Sequence, residues 1–234
     1  MGLNVPPPDS RPRPYCVARR AFNPAPLFAA SLLGLAVMLG VPGLGRADTD
    51  LRVLALGDSL TAGYGLAPDD SFPAQLEAAL RRAGIQARVV NGGVSGDTSA
   101  GGLARLDWLL AEKPDLVIVE LGANDGLRGL DPASTRDNLD RILARFKQDG
   151  IAVLLTGMRA PPNLGQEYGD AFAALYADLA RRYGAAFYPF FLDGVVADPA
   201  LNQQDGIHPN AQGVAEIVAR MLPLVVATLK GVGG

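Results

Sequence analysis

Residues 51–65 read LRVLALGDSLTAGYG, an apolar run that stops abruptly at Gly57-Asp58-Ser59. Val53, Leu54, Ala55 and Leu56 have the character of a strand buried on both faces, and a glycine followed by two small polar residues marks a strand-to-loop turn. Ser59 is therefore expected at the carboxyl edge of a parallel strand. In open α/β sheets ligands bind outside that edge, and the backbone N–H groups of a following helix favour negative charge developing there.

Outward from this stretch the chain alternates strand and helix with no repeat or obvious linker. Phe72, Leu76, Ala79, Leu80 and Ala83 have helical spacing and end at Gly84; a short strand over 88–90 runs into Asn91-Gly92-Gly93. Leu103, Leu106, Leu109 and Leu110 predict one helix closed before Pro114, and 116–121 is an apolar strand ending in Gly122-Ala123-Asn124-Asp125-Gly126. A helix over 135–148, a strand over 151–155, a helix carrying Phe172, Leu175, Tyr176 and Leu179, and a fifth strand over 185–188 follow. Asn210 caps a last helix reaching about residue 229, with Pro223 as a candidate kink. This order predicts an α/β fold, a parallel five-stranded sheet covered by helices on both faces. Right-handed crossovers then bring the loops 57–65, 91–99, 122–130 and 204–210 to one rim.

The 234 residues suffice for one domain with a substantial core, and 49% hydrophobic against 19% charged residues excludes a disordered chain. Residues 1–20 are rich in proline and arginine, 27–39 are apolar, and Gly45-Arg46-Ala47 precedes Asp48. That arrangement predicts a secretory leader over 1–47, with the domain over 48–234, and a periplasmic or secreted product. Arg19-Arg20 also fits a twin-arginine route. No stable membrane span is expected after cleavage, and a monomer is expected. Setting aside the five arginines and one aspartate of 1–47 leaves 16 basic and 23 acidic residues, a net charge of −7, which argues against a nucleic-acid partner.

Two counts restrict the chemistry. The only cysteine, Cys16, lies in the leader, so the domain can hold neither a disulfide nor a thiol nucleophile. The only histidine is His208, so a histidine cluster for a metal is impossible and any imidazole base must be this residue. A serine hydroxyl needs such a base to become a nucleophile. Asp205, three residues before His208 in Asp205-Gly206-Ile207-His208-Pro209-Asn210, lies within reach of Nδ1 in a tight turn, which would direct Nε2 to Ser59. Taken alone, the segment reads more readily as a surface turn before a helix, with Asp205 as a turn residue. Acyl transfer also needs donors for an oxyanion: the N–H groups of Ser59 and Gly96 and the Asn124 amide are the candidates, although Gly96-Asp97 and Asn124-Asp125-Gly126 are also ordinary turn and cap sequences. Ser95 is a rival nucleophile, but no Gly-x-Ser-x-Gly elbow occurs.

Gly57-Asp58-Ser59-Leu60, Val94-Ser95-Gly96-Asp97-Thr98-Ser99, Gly122-Ala123-Asn124-Asp125 and Asp205-Gly206-Ile207-His208-Pro209 resemble, in order, the four blocks of the GDSL or SGNH hydrolases. The likeness covers about residues 50–230 and is greatest to the bacterial periplasmic group of acyl-CoA thioesterase I, lysophospholipase L1 and arylesterase. It implies a three-layer flavodoxin-like fold, no cofactor, no metal, and hydrolysis of small-molecule acyl esters and thioesters, lysophospholipids included. By the same resemblance Ser59 is the nucleophile, His208 the base, Asp205 its orienter, and Ser59, Gly96 and Asn124 the oxyanion hole. Leu127, Leu130, Leu164 and Tyr168, on rim loops, are candidates for lining an acyl groove, or else simple loop anchors. The alternatives are a carbohydrate O-deacetylase and a non-catalytic binding module on the same scaffold. A phosphoryl-transfer enzyme built on Asp58 would need an acidic metal cluster or a P-loop lysine, and no Gly-x4-Gly-Lys is present.

Overall fold

β1 (Leu51–Gly57) is buried from Val53 onward because it is paired on both edges, parallel to β2 (Ala87–Gly93) and to β3 (Leu116–Glu120). β4 (Ala152–Thr156) and β5 (Ala186–Tyr188) extend the sheet, all parallel, in the order β2-β1-β3-β4-β5. The strand order reverses between β1 and β3, the place where open α/β sheets bind ligands. The structure is a computed structural model and describes residues 51–232, so the expected leader lies outside the described residues.

The helices follow the apolar spacing that the sequence displays. After α1 (Ser59–Ala62), α2 (Phe72–Arg82) buries Phe72, Leu76, Ala79 and Leu80 on one stripe. The single helix expected around Leu103–Leu110 is instead two short ones, α3 (Ser99–Ala104) and α4 (Leu106–Leu110). The break falls at Arg105, with φ −105° and ψ 10°, whose side chain turns inward to three oxygens of the rim. Leucine periodicity carries no sign of that pull. α5 (Ala123–Leu127) follows β3. α6 (Pro132–Gln148) starts three residues earlier than its apolar pattern, because Asp131 accepts from the Ala133 N–H and Pro132 occupies the first turn.

α7 (Gln166–Tyr183) ends at Gly184, and α8 (Ala211–Val232) begins under Asn210, whose Oδ1 accepts from the N–H groups of Gln212 and Gly213 at 3.0 Å each. Pro223 lies inside α8 without ending it. By length and composition alone α8 would suffice to cross a membrane. It nevertheless packs Val214, Ile217, Val218, Met221, Val225 and Leu229 into the core. α2 and α8 pack together on one face of the sheet; α3, α6 and α7 form the other layer. Each fully buried Leu or Phe contributes about 1.5–3 kcal/mol, against ~0–1 kcal/mol for an exposed ion pair such as Arg81–Glu77, so the apolar layers dominate stability.

Candidate active site

Ser59 is the first residue of α1, directly beyond the end of β1. Asp58 caps the helix, its Oδ1 accepting from the Leu60 N–H at 3.0 Å. The turn requires glycine at 57, where a Cβ would overlap Thr61 Oγ1 and approach Glu120 Oε2 at 2.5 Å. The strand can therefore bend into α1 with Ser59 on the rim.

His208 lies 149 residues further on, yet its Nε2 is 2.9 Å from Ser59 Oγ and its Nδ1 is 2.6 Å from Asp205 Oδ2. Asp205 Oδ1 accepts from the backbone N–H groups of Ile207 at 2.9 Å and His208 at 3.0 Å. The two carboxylate oxygens thus divide the work, Oδ1 closing the turn while Oδ2 receives the ring proton. These bonds, the His208 N–H first, then that of Ile207 and then the ring, lower the Asp205 pKa to about 2. An ionised carboxylate accepts only, so Nδ1 carries the proton and Nε2 is free to accept from the Ser59 hydroxyl. Gln203 fastens the loop: its N–H donates to His208 O at 2.8 Å, and its Nε2 donates to Tyr64 O at 2.7 Å and Pro209 O at 2.9 Å.

The three donor candidates differ. Gly96, at φ +84°, takes a left-handed conformation suited to glycine, and neither its N–H nor that of Ser59 donates to an acceptor among the described residues. The Asn124 amide has both protons engaged, with Nδ2 donating to Asp58 Oδ2 at 3.0 Å and Asp97 O at 2.9 Å. It ties the loops after β1, β2 and β3 together, and serving an oxyanion would require one of these bonds to be shared. Asn124→Ala is expected to lower kcat by ~10²–10³-fold with KM little changed if the amide stabilises the transition state. A lowered thermal midpoint with normal kcat per titrated serine would assign it to loop structure alone. Ser95, the rival serine, is exposed, and the chain's only imidazole is directed to Ser59.

Of the apolar candidates, Leu127 and Leu130 are exposed on the rim, whereas Leu164 and Tyr168 are half-buried. Tyr168 also anchors the loop, donating to Leu130 O at 2.5 Å and stacking on Phe172 at 5.9 Å. Four residues that sequence patterns alone do not single out shape the rim. Tyr64 lies with its ring 4.7 Å from that of His208. Asp125, buried, accepts from Ser99 N, Ser99 Oγ and Thr135 Oγ1. Arg105 reaches Asp97, Gly92 and Gly57.

The fourth, Glu120, is fully buried at the end of β3 and accepts at Oε2 from Asp58 N at 3.2 Å and Thr61 Oγ1 at 2.7 Å, while Oε1 has no hydrogen-bond partner among the described residues. Burial first, then the charge of Asp58, pushes the Glu120 pKa well above the carboxylate range, and burial raises Asp58 to about 6. A lone carboxylate in the apolar run Leu116-Val117-Ile118-Val119-Glu120-Leu121 was the available sequence signal for it. Among the described residues no group of histidine, cysteine and carboxylate side chains is arranged to hold a metal.

A model of the GDSL-like lipase/acylhydrolase family matches residues 55–215. An arylesterase of Vibrio mimicus is 43% identical over 175 residues, spanning 73% of this chain and 88% of the relative. Thioesterase 1/protease 1/lysophospholipase L1 of Escherichia coli strain K12 is 43% identical over 185 residues, covering 77% of this chain and 88% of that enzyme. The crystal structure of AlinE4, an SGNH-hydrolase family esterase, superposes with a TM-score of 0.66 at 50% identity, covering 77% of this chain and 97% of its own.

Proposed function

The chain belongs to the GDSL-like lipase/acylhydrolase family and is a serine esterase/thioesterase, and from that premise we propose that Ser59, His208 and Asp205 perform the hydrolysis. The observation that supports this most is the unbroken run from Asp205 Oδ2 through His208 to Ser59 Oγ, at 2.6 and 2.9 Å. Ser59 Oγ attacks the acyl carbon as its proton passes to His208 Nε2, and the carbonyl oxygen becomes an oxyanion facing the N–H groups of Ser59 and Gly96, with Asn124 at the same edge. Collapse breaks the bond to the alcohol or thiol, which leaves with the proton from Nε2. Water then gives a proton to Nε2 and its oxygen to the acyl-enzyme; a second collapse returns that proton to Ser59 Oγ and frees the carboxylic acid.

For the substrate, an acyl chain of several carbons is favoured over an acetylated sugar. Tyr64, Val94, Leu127 and Ile207, on the loops that carry the site, are 53%, 45%, 52% and 47% exposed, an apolar margin that a sugar's hydroxyls would not match. On p-nitrophenyl esters of increasing chain length, beside an acyl-CoA, a lysophospholipid and an acetylated sugar, kcat/KM should rise from acetyl to longer chains. A preference for the acetylated sugar would instead select the deacetylase reading.

Residues 1–47 serve as an export leader in this proposal, from the basic, apolar and small-residue order of the sequence, and the enzyme works outside the cytoplasm as a monomer. Mass spectrometry of protein from the periplasm or medium should find a chain starting near Asp48. An intact amino terminus in the soluble cytoplasmic fraction would refute export, and a doubled mass by light scattering would refute the monomer.

A further inference from the structure

The side chain of Arg105, at the break between α3 and α4, is directed inward, and both it and its partner Asp97 are only 18% exposed. Its Nε donates to Asp97 Oδ2 at 2.6 Å, one NH2 group donates to Gly92 O at 2.6 Å, and the other to Gly57 O at 2.9 Å. Gly57 ends β1 two residues before Ser59; Gly92 lies in β2 four residues before Gly96; Asp97 follows Gly96 directly. The carbonyl of Asp97 is in turn an acceptor of the Asn124 amide. Each of the three oxyanion-donor candidates is therefore linked to one guanidinium through a few backbone bonds.

The Gly57–Asp58 peptide, the one that precedes the Ser59 N–H, is held from both sides. Its carbonyl receives Arg105, and its N–H donates to the buried Glu120. Hydrogen bonds at both poles restrain the tilt of this peptide, and with it the direction from which the chain enters Asp58 and the Ser59 N–H. Strand pairing supplies only part of this: the Val94 N–H donates to Gly57 O at 3.1 Å where the β1–β2 register ends at Gly57 and Gly93, and Arg105 adds a second, charged donor to the same oxygen while also holding Gly92 O and Asp97. We infer that Arg105 is a positioning residue that aligns the oxyanion hole, using its planar fork to fix the ends of β1 and β2 and the Gly96 loop in one geometry. Lysine is a poor replacement, since its single ammonium nitrogen would have to stand in for three guanidinium nitrogens that each bond a different oxygen at 2.6–2.9 Å.

The inference rests on the proposed oxyanion hole, and the test separates the two. Arg105→Lys and Arg105→Ala are compared with wild type for kcat per serine titrated with a fluorophosphonate, for KM, for inhibition by an alkyl boronic acid, which forms a tetrahedral adduct on Ser59, and for thermal midpoint. Both variants should lose about 10²-fold in kcat with KM little changed, the scale for misplaced catalytic groups. Boronate affinity should fall in parallel, and millimolar guanidinium should restore part of the activity of Arg105→Ala. Normal kcat and boronate affinity with a lowered midpoint would overturn the inference. If neither variant folds, Asp97→Asn, which leaves both strand carbonyls on the guanidinium, should show a smaller fall in the same two quantities, and no fall would overturn it. Ser59→Ala is run beside them: if it stays active, the proposed site and the inference both fail; if it is inactive while Arg105→Ala keeps full activity, the inference alone fails.

Discussion

Ser59→Ala and His208→Ala should each lower kcat by roughly 10⁴–10⁶-fold while leaving the fold intact, and the double variant should be little worse than either. The two act as one unit. Without His208 Nε2 to take its proton, Ser59 Oγ is an ordinary alcohol; without Oγ, the imidazole has only water to activate. Neither substitution leaves a large cavity, since both residues are only half-buried on the rim and the apolar layers lie beneath them. The thermal midpoint should therefore stay close to wild type, so that lost activity is read as lost chemistry. Because His208 is the only histidine, no neighbouring imidazole can substitute for it. Near-wild-type turnover by a purified Ser59→Ala sample, shown by mass spectrometry to be free of wild type, would refute the assignment.

The second large effect is expected of Asp205→Asn, which should lower kcat by ~10⁴-fold for a reason that the separate roles of the two carboxylate oxygens make specific. The amide oxygen of an asparagine can still accept from the N–H groups of Ile207 and His208, so the turn survives. Its NH2 group then faces Nδ1, where Asp205 Oδ2 now accepts. Two donors cannot face each other, so the neutral ring moves its proton to Nε2 and can no longer accept from Ser59. Asp205→Ala would lose the turn as well, and its midpoint should fall further than that of Asp205→Asn.

The pH dependence follows the same carboxylate. Its pKa is lowered from 3.8 to about 2, so its stabilising contribution is present above 3.8 and is lost only as pH falls through about 2. Acid inactivation of the wild type above pH 4 therefore does not come from Asp205. An Asp205→Asn enzyme with more than a tenth of wild-type kcat at neutral pH would contradict its role as orienter.

The strand–helix order, the core stripes and the three residues of the hydrogen-bonded run were legible in the sequence because each rests on a local or counting property. Alternation of apolar runs with helical spacing is a short-range pattern, and Asn210 and Gly184 mark helix ends through their own backbone chemistry. One histidine with an aspartate three residues before it leaves little choice of partner for a serine at a strand end.

What the tertiary structure decided depends on which strand ends become neighbours. The order β2-β1-β3 sets the ends of residues 57, 93 and 120 side by side, and only then can Arg105 reach two strands and Glu120 hold the peptide before Ser59. The division of the Leu103–Leu110 region into two helices follows from that reach and not from its own leucine spacing. Likewise the Asn124 amide is occupied by acceptors 66 and 27 residues away, and Tyr64 meets His208 only across the rim. Apolar periodicity records which side of an element is buried; it holds no record of which distant carbonyl a buried polar group must find, and that requirement is met only once the sheet has closed around it.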